Sequence, residues 1–93
     1  MLRYVRGVVS GTVQGVGYRY FFRLQATRIG VTGWIRNLPT GSVLFEVTGT
    51  PNQIDELLIL ADEGPKFAEV DEVTIEFNRQ TETSPFKRFE IQG

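Results

Sequence analysis

The stretch VTGWIRNLPTGSVLFEVTGTPNQ, residues 31–53, decides the fold of this chain. Val31 to Leu38 has strand composition, and Val43, Phe45 and Val47 alternate as a second strand with one apolar face. Between them Pro39-Thr40-Gly41 supplies turn chemistry, since proline fixes φ and glycine admits φ > 0. The two runs therefore form a hairpin. Thr50-Pro51-Asn52-Gln53 then opens a helix. Thr50 is placed to cap free amides, Pro51 suits the first helical position, and Gln53 completes a capping box. Ile54, Leu57, Leu58 and Ala61 give that helix an apolar face, and Gly64-Pro65 ends it.

On the N-terminal side, residues 3–12 alternate as a strand, with Tyr4 and Val8 on one face and Val5 and Val9 on the other. Tyr18, Phe22, Ala26 and Ile29 recur at helical spacing, and Gly30 suits the left-handed residue that closes a helix. On the C-terminal side, Val73, Ile75 and Phe77 mark a fourth strand and Phe89 with Ile91 a short last one. Residues 78–85 read as an exposed polar loop. The order is β-α-β-β-α-β, with one strand beyond it or a broken final strand. This predicts an α+β, ferredoxin-like α/β sandwich: an antiparallel sheet with two helices on one face, and a single domain spanning 1–93. Many functions share that architecture, so function has to be read from a site.

Composition removes several kinds of site. The chain has no cysteine, hence no disulfide framework and no thiolate nucleophile. It has no histidine, the commonest general base and metal ligand. No apolar run reaches the ~18 residues of a membrane span, and the N-terminus lacks a signal-peptide pattern, so a soluble cytoplasmic protein is expected. Charge is unevenly placed. Residues 1–45 carry Arg3, Arg6, Arg19, Arg23, Arg28 and Arg36 and no acid, while all eleven acids fall in 46–93. That pattern is consistent with a positive field around N-terminal elements, and equally with solvated faces.

Residues 13–21, VQGVGYRYF, lie between the first strand and the first helix. The second helix has a hydroxyl cap; the first has no Ser, Thr, Asp or Asn near its start. A helix N-terminus presents about four amides without partners, and together with the helix dipole these favour an anion. Gly15 and Gly17 let the backbone curl its N–H groups inward, and Arg19 adds a guanidinium fork in the first turn. Taken alone, the same residues also suit a hydrated glycine turn. The spacing fits neither a Walker loop nor a dinucleotide fingerprint.

GTVQGVGYRYF, residues 11–21, resembles the acylphosphatase signature G-x-V-Q-G-V-x-[Phe/Tyr]-R. GWIRNLPTGSV, 33–43, is similar to that family's second signature, G-[Trp/Tyr]-V-x-N-x-x-x-G-x-V. EGPKFAEVDEV at 63–73 and FEI at 89–91 also fit, so the resemblance spans nearly the whole chain. It implies a small enzyme that hydrolyses the carboxyl–phosphate bond of acyl phosphates without metal or cofactor. The family's phosphate-binding loop maps onto Gln14, Gly15, Val16, Gly17 and Tyr18, its essential arginine onto Arg19 and its essential asparagine onto Asn37. Inorganic phosphate is then product and inhibitor, and a monomer with no nucleic-acid or membrane partner is expected. The chemistry agrees. A carboxylate leaving group of pKa about 4 departs without a general acid, so a chain lacking histidine is adequate.

Read from the residues alone, Asn37 also suits a turn before Leu38-Pro39, and Gly33 suits either a close approach or a bulge. Trp34, Arg23 and Arg36 read as packing and surface, and Tyr18 as a core ring whose hydroxyl needs a partner. Two rival readings share the fold. An RNA-binding sandwich displays aromatics and basic residues on its central strands, whereas SVLFEVTG has one aromatic and an acid, and the sequence pI is 5.4. A regulatory module that senses an anion without turnover is the other.

Overall fold

The computed structural model describes all 93 residues. Strand β1 (Leu2–Thr12) leads through a loop to helix α1 (Tyr18–Ile29); β2 (Thr32–Asn37) and β3 (Val43–Gly49) form the hairpin. Helix α2 (Pro51–Glu63), β4 (Glu69–Thr81) and β5 (Phe89–Gln92) follow. The sheet order is β4-β1-β3-β2-β5. Strands β1–β3, β1–β4 and β2–β3 pair antiparallel, and both helices lie on one face, as the sequence predicts.

Alternation decides which face is buried. Val5, Val9, Ile35, Val43, Phe45 and Val47 point at the helices and are essentially inaccessible. Phe22 of α1 sits among them, its ring centroid 4.9 Å from Phe45 and 5.5 Å from Phe89. Burying such a side chain contributes about 1.5–3 kcal/mol. The capping box at the start of α2 is present: Thr50 Oγ1 accepts from Gln53 N and Gln53 Oε1 accepts from Thr50 N. Gln53 Nε2 also donates to Ile29 O at 3.1 Å, so one side chain joins the start of α2 to the end of α1.

The C-terminal third departs from the sequence reading in two ways. First, residues 78–81 are not loop. They continue β4, with Asn78 opposite Val5 and Thr81 opposite Leu2. An edge strand paired on one side and exposed on both faces needs no apolar alternation, so its polar residues hid it. Second, the last strand adds to β2 in parallel, Gly33 beside Phe89 and Ile35 beside Ile91, which makes the sheet mixed. Because β4 and β5 occupy opposite edges, residues 82–88 must cross four strand gaps, roughly 19 Å. They run over the face that the helices leave open. There Phe86 stacks on Tyr4 and Ser84 Oγ meets Thr32 Oγ1 at 3.0 Å.

Gly33 marks a close approach and not a bulge. Register is unbroken there, and a Cβ would lie 1.9 Å from Glu46 O. Strands β1, β2 and β5 run parallel to one another, and their carboxyl ends fall at one end of the sheet, where the candidate site residues gather.

Candidate active site

Helix α1 begins against the usual rules for a helix start. Its N-cap is Gly17, at φ 82° and ψ 15°, with no side-chain cap and no acid in the first turn. Gly15 is likewise left-handed at φ 74°. Arg19 places a positive side chain at the positive end of the helix dipole, which an ordinary helix avoids. The first backbone bond of the helix is donated by Phe21 N to Gly17 O. No backbone carbonyl or side chain accepts from the amides of Gly15, Val16, Gly17, Tyr18, Arg19 or Tyr20. These donors are available because left-handed glycines on either side of Val16 orient them and nothing in the protein occupies them.

Both ends of this loop are anchored. Val13 precedes it and Tyr18 follows it, each 1% exposed. The Tyr18 hydroxyl donates to Ala61 O at 2.7 Å, one of the last carbonyls of α2 that the helix leaves free. Burial, reinforced by the Asp62 carboxylate, pushes that phenol well above its ordinary range, so it stays a neutral donor. The hydroxyl that the sequence left without a partner has one.

Arg19 is half-buried and makes no ion pair; its only polar contact is a long one, Nη1 to Gln92 O at 3.5 Å. Arg6, Arg28 and Arg88, by contrast, pair with Glu46 and Glu76, Glu56, and Glu90. The guanidinium of Arg19 is thus held at the end of β5 without being neutralised. Asn37, the last residue of β2, pairs with Val43; its side chain is exposed and bonded to nothing. Gln92 pairs with Arg36, next to Asn37, so Arg19 and Asn37 belong to the same corner of the sheet.

Gln14 joins the loop to that corner. Its Nε2 donates to Leu38 O and to Ser42 O, both at 2.8 Å. Those carbonyls close the β2–β3 turn, since Leu38 N donates to Ser42 O and Gly41 N to Leu38 O. Of the loop residues named from the sequence, Gln14 therefore directs its side chain to the hairpin, leaving only its backbone amide to face an anion. The sequence offered no periodic signal for this bridge. Its one cue was a lone glutamine among small apolar residues.

Other candidates direct their side chains away from the corner. Arg23 and Arg36 lie over Tyr20 and Trp34, and Trp34 is half-buried on the open face. A groove lined by Gly33, Trp34, Phe86, Arg88, Glu90 and Gln92 runs along that open face and shares only Gln92 with the Arg19 contact. Chemically, the corner offers free amides, one unneutralised guanidinium and one free carboxamide. It suits a tetrahedral anion with a water beside it.

Comparison with known proteins bears on the family and the fold. The family model described as Acylphosphatase matches residues 5–91. An acylphosphatase of Acaryochloris marina is 41% identical over 87 residues, covering 94% of this chain and 90% of that protein. One from Caldivirga maquilingensis is 51% identical over 73 residues, 77% of each chain. The crystal structure of acylphosphatase from Bacillus subtilis superposes with a TM-score of 0.90 at 30% identity, over the full length of both chains.

Proposed function

The chain belongs to the acylphosphatase family, and on that premise we propose that its phosphate loop and Asn37 divide the work of hydrolysis. The enzyme hydrolyses an acyl phosphate to a carboxylate and inorganic phosphate. The amides of Gly15, Val16, Gly17 and Tyr18 hold the phosphoryl oxygens, with the Gln14 amide at the loop's start. Arg19 pivots from Gln92 to neutralise their charge through paired hydrogen bonds. The Asn37 carboxamide, which both donates and accepts, binds the attacking water and holds it in line with the leaving oxygen. Orientation of that kind supplies on the order of several kcal/mol.

Water adds to phosphorus as the P–O bond to the acyl group breaks, and the electron pair leaves on the carboxylate. The water's protons pass to phosphate oxygens or solvent. The transition state is loose, with little bonding to the nucleophile, so no strong base is required. The leaving group, of pKa about 4, needs neither proton nor Lewis acid, which supports a reaction independent of metal. Phosphate, the product, occupies the same cup and inhibits.

One observation carries this reading: the amides from Gly15 to Tyr18 have no acceptor in the protein, at a helix start with two left-handed glycines. Acetyl phosphate or benzoyl phosphate hydrolysis in EDTA tests it. Arg19→Gln and Asn37→Ala each lose most of kcat while keeping the fold. Full activity in either variant would refute the role given to that residue.

A further inference from the structure

The two bonds from Gln14 have a consequence for the reaction. We propose that Gln14 is a positioning residue: its carboxamide sets the place of Asn37 relative to the phosphate cup. The inference rests on the role proposed above for Asn37.

Asn37 is held only through its backbone, by pairing with Val43 at the end of β2; its side chain has no partner, and the residues around the turn are largely exposed. The cup is the firmer of the two parts, fixed by buried Val13 and Tyr18 on either side. A single NH₂ group, rooted beside Val13, donates to both carbonyls that close the turn after Asn37. Those carbonyls keep their turn bonds from Gly41 and Leu38 without it, so the hairpin survives loss of Gln14 but is no longer tied to the loop. Drift of Asn37 by about an ångström misplaces the water, and misplacement on that scale costs roughly a hundredfold in rate. The amides that bind phosphate are backbone groups between the two buried anchors, and they stay where they are.

The test is a Gln14→Met variant, matched in length but without donors, with Gln14→Leu as a second uncharged variant that cannot donate. Thermal melts verify folding. The expected result is a split. kcat for benzoyl phosphate falls by about a hundredfold, while the inhibition constant of inorganic phosphate changes less than about threefold. The double variant Gln14→Met with Asn37→Ala loses no more kcat than Asn37→Ala alone, because the two act as one unit. Losses that multiply in the double variant overturn the inference, as does a phosphate inhibition constant that worsens in step with kcat. A fully active Asn37→Ala single variant overturns instead the role given to Asn37.

Discussion

Replacing Gly17 with alanine isolates the backbone conformation on which the cup depends. Gly17 sits at φ 82°, and a Cβ added there meets nothing within 4 Å, so the substitution adds strain without collision. An L-residue in the left-handed region costs about 1–2 kcal/mol. The stiffer unfolded chain offsets part of this, leaving roughly 1 kcal/mol. A domain of 93 residues has an unfolding entropy near 0.2 kcal/mol/K, so Tm drops by about 5 °C. Gly17→Asn separates conformation from size, because asparagine tolerates the left-handed region and should fall between glycine and alanine. Gly33→Ala is the contrast: its Cβ would lie 1.9 Å from Glu46 O, a backbone collision that no rotamer relieves. Urea unfolding and thermal melts of the three variants check the order Gly17→Asn, Gly17→Ala, Gly33→Ala from mildest to most severe. Wild-type stability in Gly17→Ala would refute the reasoning, since the fold would then not impose the left-handed turn.

Two further changes probe the supports of the site and sheet. Tyr18→Phe keeps the buried ring but strands the Ala61 carbonyl; a loss of about 1–2 kcal/mol in urea unfolding is expected, with kcat changed less than about threefold. The Tyr4 phenol is pushed up to about 12, first by burial and then by its hydrogen bond to the Glu46 carboxylate. A raised value means the folded chain keeps a proton that the unfolded chain releases near pH 10. Tyr4 therefore stabilises fully below pH 10 and loses that contribution as pH climbs toward 12. The urea midpoint of wild type minus that of Tyr4→Phe should shrink across this window and stay flat below it; a flat difference throughout would count against the Tyr4–Glu46 pairing.

Where local chemistry suffices, the sequence is a good guide. Thr50, Pro51 and Gln53 define a helix start within four residues, and the capping box forms as they require. The contrast at α1 was legible for the same reason, because an absent cap is also a local fact. The parallel β5 was not, since four residues carry no information about which strand they join. Residues 78–81 were missed because this end of the edge strand is largely exposed, so burial imposes no alternation on its side chains. Within the candidate site, Arg19 and Asn37 were singled out by motif. The Gln14 bridge spans 24 residues and connects a side chain to backbone carbonyls, which any residue could supply, so it leaves no mark on the partner sequence. Tyr18 was intermediate: its need for a partner followed from its type, but Ala61 O could be identified only once α2 was in place.

Phosphate binding by the free amides from Gly15 to Tyr18, with the help of Arg19, is the proposal on which the rest depends. Titration of ¹⁵N-labelled protein with inorganic phosphate, followed by amide chemical shifts, tests it most directly. Saturable shifts are expected at millimolar phosphate, largest at Gly15, Val16, Gly17 and Tyr18 and lost in Arg19→Gln. Shifts centred elsewhere, or none at these four amides, would contradict it.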